Sequence, residues 1–444
     1  MNSAPTPPPG RSARSSPWPA PRSPSSTARR RTARPAHDHH RDHPPRPAPG
    51  THPRRRDPAP GRRPRPQPPA ARPDPELAYE EHRAARRITD LVEAAGFDVT
   101  RGVCDLPTAF TATAGSGDLV IGICAEYDAL PGIGHACGHN VNGAASVTAA
   151  LALAPLADEL GITVQFLGTP AEESGGGKVD MLRGGAFDDV AAAMMVHAAP
   201  SDSVGMSSLA ISSWQVGYTG RAAHAAAMPE RGVNAADAMM IAQVAIAAYR
   251  QQMRPGTVVS GFVTSGGEAA NVIPARTTAD YDCRAGTSEE LRELQARVRA
   301  CFEAGALATG AELALQPVGN DYADLRQDLA MGRSYLAAAR ALGRDAKAED
   351  PSIRGGSTDM GNVSHHVPTI HPMIGYDCGD TIMHNPEFTR YGTTPQADRA
   401  VLDGGLAMAW TALDLATTPD HRTSLLTRLA TRAPYRDPST PAAS

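Results

Sequence analysis

Apolar positions recur along most of this chain in the rhythms of alternating strands and helices. Short apolar runs typical of buried strands occur at four places, 120–124, 162–167, 191–196 and 369–374. Helical spacing of apolar residues occurs in two stretches, 76–95 and 141–160. Two shorter strands are predicted before the first buried run, at 97–101 and 108–113. The alternation predicts an α/β fold with a central mixed sheet and flanking helices.

The middle of the chain has a pattern of its own. Predicted strands and helices follow in the order β-α-β-β-α-β, at 213–219, 234–251, 257–264, 277–284, 288–307 and 311–318. This order is typical of a ferredoxin-like α+β unit. We therefore predict an inserted lid or dimerisation domain over 211–320, which divides a catalytic domain into 74–210 and 321–435. Residues 436–444 are predicted to form a flexible C-terminus.

The N-terminal region differs sharply in composition from the rest of the 444 residues. Residues 1–72 contain 20 of the 40 prolines and 16 arginines but three acidic residues, whereas the remainder has a net charge of −17. Such a segment buries too little apolar surface to fold, which predicts a disordered tail over 1–73. Two functional alternatives are a nucleic-acid-binding arm and a targeting sequence. The absence of aromatic residues beside the arginines argues against the first, and the prolines argue against the second.

Other global features restrict the class of protein. The six cysteines are scattered without framework spacing, which favours reduced thiols. No apolar run reaches 18 residues, and the first residues lack the apolar centre of a secretory signal. We therefore expect a cytoplasmic protein without membrane or nucleic-acid partners.

Potential metal ligands follow the carboxyl ends of the predicted buried strands. They are Cys137 and His139 after the first strand, Glu172 and Glu173 after the second, His197 after the third and His384 after the fourth. Ligands bind at this edge in open α/β sheets. Each residue alone could be an ordinary loop side chain, and so could His135, which we expect to be structural. The combination of thiol, imidazole and carboxylate favours a metal site. If the backbone is extended at Glu172 and Glu173, one carboxylate faces the metal and the other faces substrate or water.

Several motifs together resemble a known enzyme family. They occur in the order D-A-L-P-G-I-G-H-A-C-G-H-N, P-A-E-E-S-G-G-G, G-R-A-A-H-A-A, N-V-I-P and M-H-N-P-E-F. Over roughly 74–432 the chain resembles the aminoacylase/carboxypeptidase family of dinuclear metallopeptidases. Within it, the chain is similar to the branch of hippurate, auxin-conjugate and aminobenzoyl-glutamate hydrolases. The peptidase-domain-containing dipeptidases that act on β-alanyl-lysine-type dipeptides look most similar.

The resemblance implies a role for each matching residue. The implied metal ligands are Cys137, His139, Glu173, His197 and His384, for two divalent ions that we expect to be zinc or manganese, with cobalt also permitted. Glu172 is implied as the general base. We expect Asp128 to orient a metal ligand from behind.

The remaining implied residues lie in the inserted domain or beside it. His224 is implied to stabilise the oxyanion in the active site of a partner subunit, so a homodimer through the inserted domain is expected. Asn271 and Arg284 are implied to hold the substrate carboxylate. Residues 355–357 are expected to approach the substrate with their backbone.

The predicted function is therefore a metal-dependent amidohydrolase or dipeptidase. Its substrate would be a dipeptide or an N-acyl amino acid, which includes compounds similar to aminobenzoyl-glutamate. One alternative is a metal-independent amidase with Cys137 as nucleophile and His139 or His135 as base. Another is a non-catalytic protein that binds a metal or ligand. The G-G-G-K sequence at 175–178 lacks the spacing of a phosphate-binding loop.

Overall fold

The structure is a computed structural model that describes residues 75–348 and 356–437. The predicted tail, Gly355 and most of the predicted flexible C-terminus lie outside the described residues. The strands are β1 (Asp98–Arg101), β2 (Phe110–Ala114), β3 (Leu119–Ala125), β4 (Ile162–Gly168), β5 (Ala192–Met194), β6 (His197–Ala199), β7 (Ala210–Thr219), β8 (Val258–Ser265), β9 (Arg276–Ala285), β10 (Glu312–Pro317), β11 (Thr369–Ile370) and β12 (Met373–Gly375). The helices are α1 (His82–Ala94), α2 (His139–Leu153), α3 (Ala157–Leu160), α4 (Gly177–Arg183), α5 (Ala235–Tyr249), α6 (Ser288–Thr309), α7 (Leu329–Ala341), α8 (Met360–Ser364), α9 (Phe388–Tyr391), α10 (Pro395–Thr417) and α11 (Pro419–Ala430).

The larger part of the described chain is built on a six-stranded mixed sheet. Its strand order is β1-β2-β4-β3-β5-β11. Strands β4, β3, β5 and β11 run parallel, whereas β1 and β2 pair in the antiparallel sense. Helix α2 packs against β3 on one side and α10 on the other. This places the carboxyl ends of β3 and β4 at one edge of the sheet, together with the beginning of α2.

The apolar helix behind this edge explains one feature of the hydropathy profile. Residues His139–Leu160 are long and apolar enough for a membrane span by length and composition, and 56% of the relevant window is buried within the protein. The side chains of α2 that face inward are small, mostly alanine and valine. Small side chains allow α2 to approach both the sheet and α10 closely.

The inserted part has its own sheet and its own core. Its strand order is β10-β7-β9-β8, entirely antiparallel, with α5 and α6 packed together against the sheet. Trp214, Tyr218 and Phe302 are among the buried side chains of this core. Asn234 begins α5 as predicted, since its side chain accepts hydrogen bonds from the N–H groups of Ala236 and Asp237. The element order is the predicted β-α-β-β-α-β.

Three local predictions were wrong. The first helix begins at His82 instead of residue 76, because Tyr79 has a positive φ of 64° that a continuous helix excludes. The predicted strands at 191–196 and 369–374 are each divided into two. Pro372 lacks an N–H group, so the second strand cannot continue through it. The pairs β5–β11 and β6–β12 consequently belong to different sheets.

Candidate metal centre

The elements of the large sheet bring the predicted donor atoms together. Cys137 and His139 stand at the beginning of α2, where Gly138 has a φ of 86° and where a Cβ would lie 2.4 Å from the Cβ of Ala198. Glycine is therefore required between the two donors. The prediction that His139 lies in a loop was wrong, since His139 is the first residue of the helix. His197 is the first residue of β6.

Two groups of donor atoms share the thiol of Cys137. In the first group, single ligand atoms of Cys137, His139 and His197 lie within 4.8 Å of one another. The second group unites Cys137 with Glu173 and His384 by the same criterion. The Sγ atom of Cys137 is 3.5 Å from Nε2 of His197, and Nε2 of His384 is 3.5 Å from a carboxylate oxygen of Glu173. All five predicted ligands thus surround one small region.

The side chain of His384 comes from a distant part of the sequence. Its backbone has a positive φ of 64°, and its N–H donates to the carbonyl of Ala136 at 2.8 Å. This hydrogen bond ties the late loop to the residue before Cys137. A non-glycine residue in the left-handed region is uncommon and often occurs at functional sites. More than half of the His384 side chain, 58%, is exposed, so it lies at the open side of the group.

The donor set fits divalent metal ions. Among the described residues, the buried Nε2 atom of His139 and the buried Oε1 atom of Glu173 have no hydrogen-bond partner. Buried polar atoms in folded proteins are nearly always satisfied, so two unsatisfied atoms that face the same region indicate a missing ligand. Sulfur, nitrogen and carboxylate oxygen together suit transition-type ions such as zinc, manganese and cobalt. The residues present therefore fit a metal site.

The metal-facing atoms are oriented from behind. Nδ1 of His139 is 2.9 Å from Oδ1 of Asp128, and the other oxygen of Asp128 accepts from the N–H of Glu173 at 2.9 Å. Asp128 therefore contacts two of the donor residues. Nδ1 of His197 donates to the carbonyl of Ala198 at 2.9 Å, which leaves Nε2 free to face Cys137. Such contacts fix the ring orientation and tautomer of a ligating histidine.

Burial determines the protonation of several donors. It lowers the pKa of His197 to about 4, so this imidazole is neutral at pH 7 and offers a lone pair. Burial also raises the pKa of the Cys137 thiol well above its usual range. A bound divalent cation acts in the opposite direction and favours the thiolate. The cysteine-amidase alternative is not favoured, because without a cation little thiolate is present at neutral pH.

The two adjacent carboxylates lie closer to each other than predicted. Nε2 of His139 is 3.7 Å from an oxygen of Glu172 and 3.9 Å from an oxygen of Glu173. The prediction that an extended backbone separates them was wrong, since both residues lie in a turn. Burial, together with the charges of Glu126 and Glu173, raises the pKa of Glu172 well above its ordinary value. A carboxylate in this environment readily accepts a proton.

A buried ion cluster behind Glu172 escaped the sequence analysis. The ammonium group of Lys178 donates to Glu126 at 2.6 Å and to Asp359 at 2.6 Å, and all three side chains are fully buried. Carboxylate oxygens of Glu126, Glu172 and Asp359 lie within 4.8 Å of one another. Burial opposes ionisation of Glu126, but the charge of Lys178 outweighs it and lowers the pKa of Glu126 below its ordinary value. Lys178 therefore neutralises part of the negative charge beside the metal centre.

The signal for this cluster was present in the sequence but weak. Lys178 belongs to the G-G-G-K stretch, which was examined only as a phosphate-binding loop. Glu126 directly follows β3, two residues before Asp128. No local pattern connects either residue with Asp359, which lies 181 residues from Lys178.

The predicted residues of the inserted domain lie apart from the donor groups. His224 and Asn271 are exposed and occupy adjacent backbone segments, since the N–H of Ala225 donates to the carbonyl of Asn271 at 2.9 Å. Arg284 is half-buried, and one of its Nη atoms donates to Ser357 Oγ at 3.2 Å. Ser357 is in the segment predicted to approach the substrate. His135 belongs to none of the donor groups found among the described residues, and its Nδ1 atom is buried.

Comparisons with known proteins agree with this geometry. Residues 209–309 match the M20 peptidase dimerisation domain. The mouse Xaa-Arg dipeptidase is 38% identical over 362 residues, which cover 78% of this chain and 84% of the mouse protein. One of the two p-aminobenzoyl-glutamate hydrolase polypeptides from Escherichia coli (strain K12) is 35% identical over 260 residues, 53% of each chain.

Solved structures show the same fold. A putative aminohydrolase from methicillin-resistant Staphylococcus aureus has a TM-score of 0.64 at 20% identity and covers 77% of this chain and 93% of its own. A dinuclear metal-binding peptidase of the M20 family from Bacillus subtilis has a TM-score of 0.59 at 23% identity, with 78% and 95% covered. The extensive similarity to the mouse protein goes beyond fold. The chain belongs to the M20 family of metallopeptidases, and it is a metal-dependent amidohydrolase.

Proposed function

We propose that this protein is a dipeptidase that binds two divalent cations in each subunit. The observation that carries the proposal is the thiol of Cys137, which belongs to two separate groups of donor atoms. One cation would be held by Cys137, His139 and His197. The other would be held by Cys137, Glu173 and His384. A thiolate between two cations accounts for a buried cysteine that is surrounded by ligand-type side chains.

The general base is the residue beside these groups, Glu172. When bound, two divalent cations supply Lewis acidity, which makes a water more acidic and polarises a carbonyl oxygen. The Glu172 carboxylate accepts the proton of the attacking water and delivers it to the leaving amine. Its raised pKa suits both steps, because a weakly basic carboxylate would not hold the proton between them. His224, supplied by a second copy of the chain, would donate to the oxyanion.

The proposed substrate is a dipeptide with a free carboxylate and a cationic C-terminal side chain. The mouse relative is an Xaa-Arg dipeptidase, and its match extends over most of both chains. The net charge of −17 over the chain after residue 72 favours cationic molecules over anionic ones. Arg284 and Asn271 are proposed to bind the carboxylate, since a guanidinium suits bidentate recognition. Aminobenzoyl-glutamate and N-acyl amino acids are the competing substrates.

A homodimer through the inserted domain accounts for two exposed features. Strand β8 is an edge strand, and its Phe262 and Val263 side chains are 63% and 39% exposed. Unprotected apolar edges tend to pair with another chain. His224 and Asn271 are exposed within one chain, as expected if a second copy completes their environment. The match to a dimerisation domain over 209–309 supports the same arrangement.

We also propose that the protein works in the cytoplasm. All six cysteines, each within the described part of the chain, are free thiols. Reduced cysteines are the norm in reducing compartments.

The decisive experiment combines metal removal with a change at the base. Purified protein is stripped with a chelator, reloaded separately with zinc, manganese or cobalt, and assayed with β-alanyl-lysine, alanyl-arginine, an N-acetyl amino acid and aminobenzoyl-glutamate. We expect activity to vanish on stripping and to return on reloading, with the basic dipeptides hydrolysed fastest. Activity that survives stripping but is abolished by thiol alkylation would instead support the cysteine amidase.

Glu172→Gln separates chemistry from metal binding. The variant should retain its metal and lose turnover by about 10²- to 10⁴-fold, because the amide cannot accept the proton. Metal content by plasma mass spectrometry and kcat are measured on the same sample. Wild-type turnover in this variant would refute the assignment of the base.

A further inference from the structure

The turn that carries Glu172 is held by side chains from three distant parts of the chain. The N–H of Ala171 donates to the buried carboxylate of Glu81 at 2.9 Å. The carbonyl of Glu172 accepts from the hydroxyl of Tyr322 at 2.5 Å, and the N–H of Glu173 donates to Asp128 at 2.9 Å. Three consecutive residues are thus fixed one by one. Ala171 has a positive φ of 60°, so external contacts are needed to hold this unfavourable conformation.

Tyr322 differs from the other two because it lies where the chain returns from the inserted domain. Its backbone pairs with Ile211, where the chain enters that domain, through two hydrogen bonds of 3.0 Å. Its hydroxyl donates to the carbonyl of Glu172 and accepts from the N–H of Gly175 at 3.4 Å. One residue therefore joins both connections of the inserted domain to the turn that carries the base.

A neighbouring residue strengthens the same junction. The side-chain amide of Asn320 donates to the carbonyls of Gly175 and Gly176 at 2.8 and 3.2 Å. The ring of Tyr322 is closely packed, since a Cβ on Gly176 would lie 2.7 Å from its Cε1 atom. The ring is therefore held in place by packing, and removing the hydroxyl alone would leave this packing intact.

We propose that Tyr322 is a positioning residue that couples the inserted domain to the general base through the carbonyl of Glu172. The inference rests on the proposed function of Glu172. The inserted domain carries Arg284, His224 and Asn271, the residues proposed to contact the substrate. The hydroxyl of Tyr322 fixes the base relative to the connections of that domain. Proton transfer requires hydrogen-bond distance, and a displacement of about 1 Å can lower a rate by about 10²-fold.

The test removes one oxygen atom and compares two tyrosines. Tyr322→Phe deletes the hydroxyl beside Glu172. Tyr218→Phe is the matched control, because Tyr218 is also buried and its hydroxyl donates to a backbone carbonyl, that of Phe302, at 2.7 Å inside the inserted domain. For each variant, kcat, KM, metal content and melting temperature are measured. The substrate is β-alanyl-lysine, alanyl-arginine or aminobenzoyl-glutamate, whichever the wild-type enzyme hydrolyses fastest.

We expect Tyr322→Phe to lower kcat by about 10- to 100-fold, with KM and metal content within about twofold of wild type. Tyr218→Phe should retain wild-type kcat even if its melting temperature falls equally. A purely structural role for Tyr322 would lower the melting temperature and leave kcat per folded molecule unchanged. Either that result or equal kcat losses in the two variants would overturn the inference.

A double-variant cycle identifies the group through which Tyr322 acts. Glu172→Asp shortens the base by one methylene and is expected to lower kcat by itself. If Tyr322 acts through Glu172, adding Tyr322→Phe to Glu172→Asp should cost much less than it costs in the wild type. Full multiplication of the two effects would place the action of Tyr322 elsewhere and overturn the inference. Wild-type turnover in Glu172→Gln would instead show that the proposed base is wrong, which is a separate failure.

Discussion

The metal centre and the His224 region of the inserted domain differ in how completely one chain builds them. At the metal centre, Cys137, His139 and His197 are buried and oriented by contacts from the same chain. His224 and Asn271 are exposed and contact mainly each other's backbone segments. The comparison indicates that metal binding is a property of the single subunit, whereas turnover requires the assembled protein.

The largest effect is expected from removing the shared thiol. Cys137→Ser should lose bound metal and lower turnover by more than about 10²-fold, because even contacts behind a ligand are worth about 10- to 100-fold in affinity or activity. Cys124→Ser is the matched control, since Cys124 is also a buried free thiol and belongs to none of the donor groups found in the described chain. Metal content and kcat are measured together. Full metal occupancy in Cys137→Ser would contradict the shared-ligand arrangement.

The next effect tests whether two subunits build one active site. His224→Ala should lower kcat by about 10²- to 10³-fold without loss of metal, as expected for an oxyanion donor. When this variant is unfolded and refolded with an equal amount of Glu172→Gln, half of the dimers are mixed. Each mixed dimer has one active site with both Glu172 and His224, so about a quarter of wild-type activity should return. If each chain uses its own His224, the mixture stays inactive.

A smaller effect is expected from charging the exposed edge of the inserted domain. Phe262→Lys places a charge on β8 and should raise the dimer dissociation constant by at least about tenfold, because inserted charges block edge pairing. Metal content should not change, since the donor groups lie in the other sheet. Leu329→Lys, at an apolar residue of α7 that is 78% exposed, is the control. Light scattering over a dilution series gives the dissociation constant, and equal values for both variants would argue against this interface.

The smallest effect concerns acid stability of the metal-free protein. Burial lowers the pKa of His371 to about 3. The unfolded chain, with a histidine pKa of about 6.5, binds this proton more readily between about pH 6.5 and 3. The free energy of unfolding therefore falls as the pH decreases through this window. His371→Leu should reduce the slope by up to about 1.4 kcal/mol per pH unit. Urea unfolding at several pH values measures it, and an unchanged slope would contradict the prediction.

The sequence predicted element types better than element boundaries. The inserted unit followed the predicted order because period-two and helical patterns are strong over 213–318. The segment 369–374 looked like one apolar strand, but the proline within it lacks a backbone donor and the strand is divided. Hydropathy alone cannot register a missing hydrogen bond, so such divisions are invisible to it.

By itself, the sequence determined which donors are present and that they follow strand ends, because ligand chemistry resides in the residue type and the sheet edge in the apolar runs. The tertiary structure alone decided that Cys137 is shared between two donor groups. It also decided that Lys178 lies between two carboxylates, and that Tyr322 reaches the carbonyl of Glu172 across 150 residues of sequence. These contacts arise from the packing of sheets and connections that are distant along the chain. No local pattern encodes them.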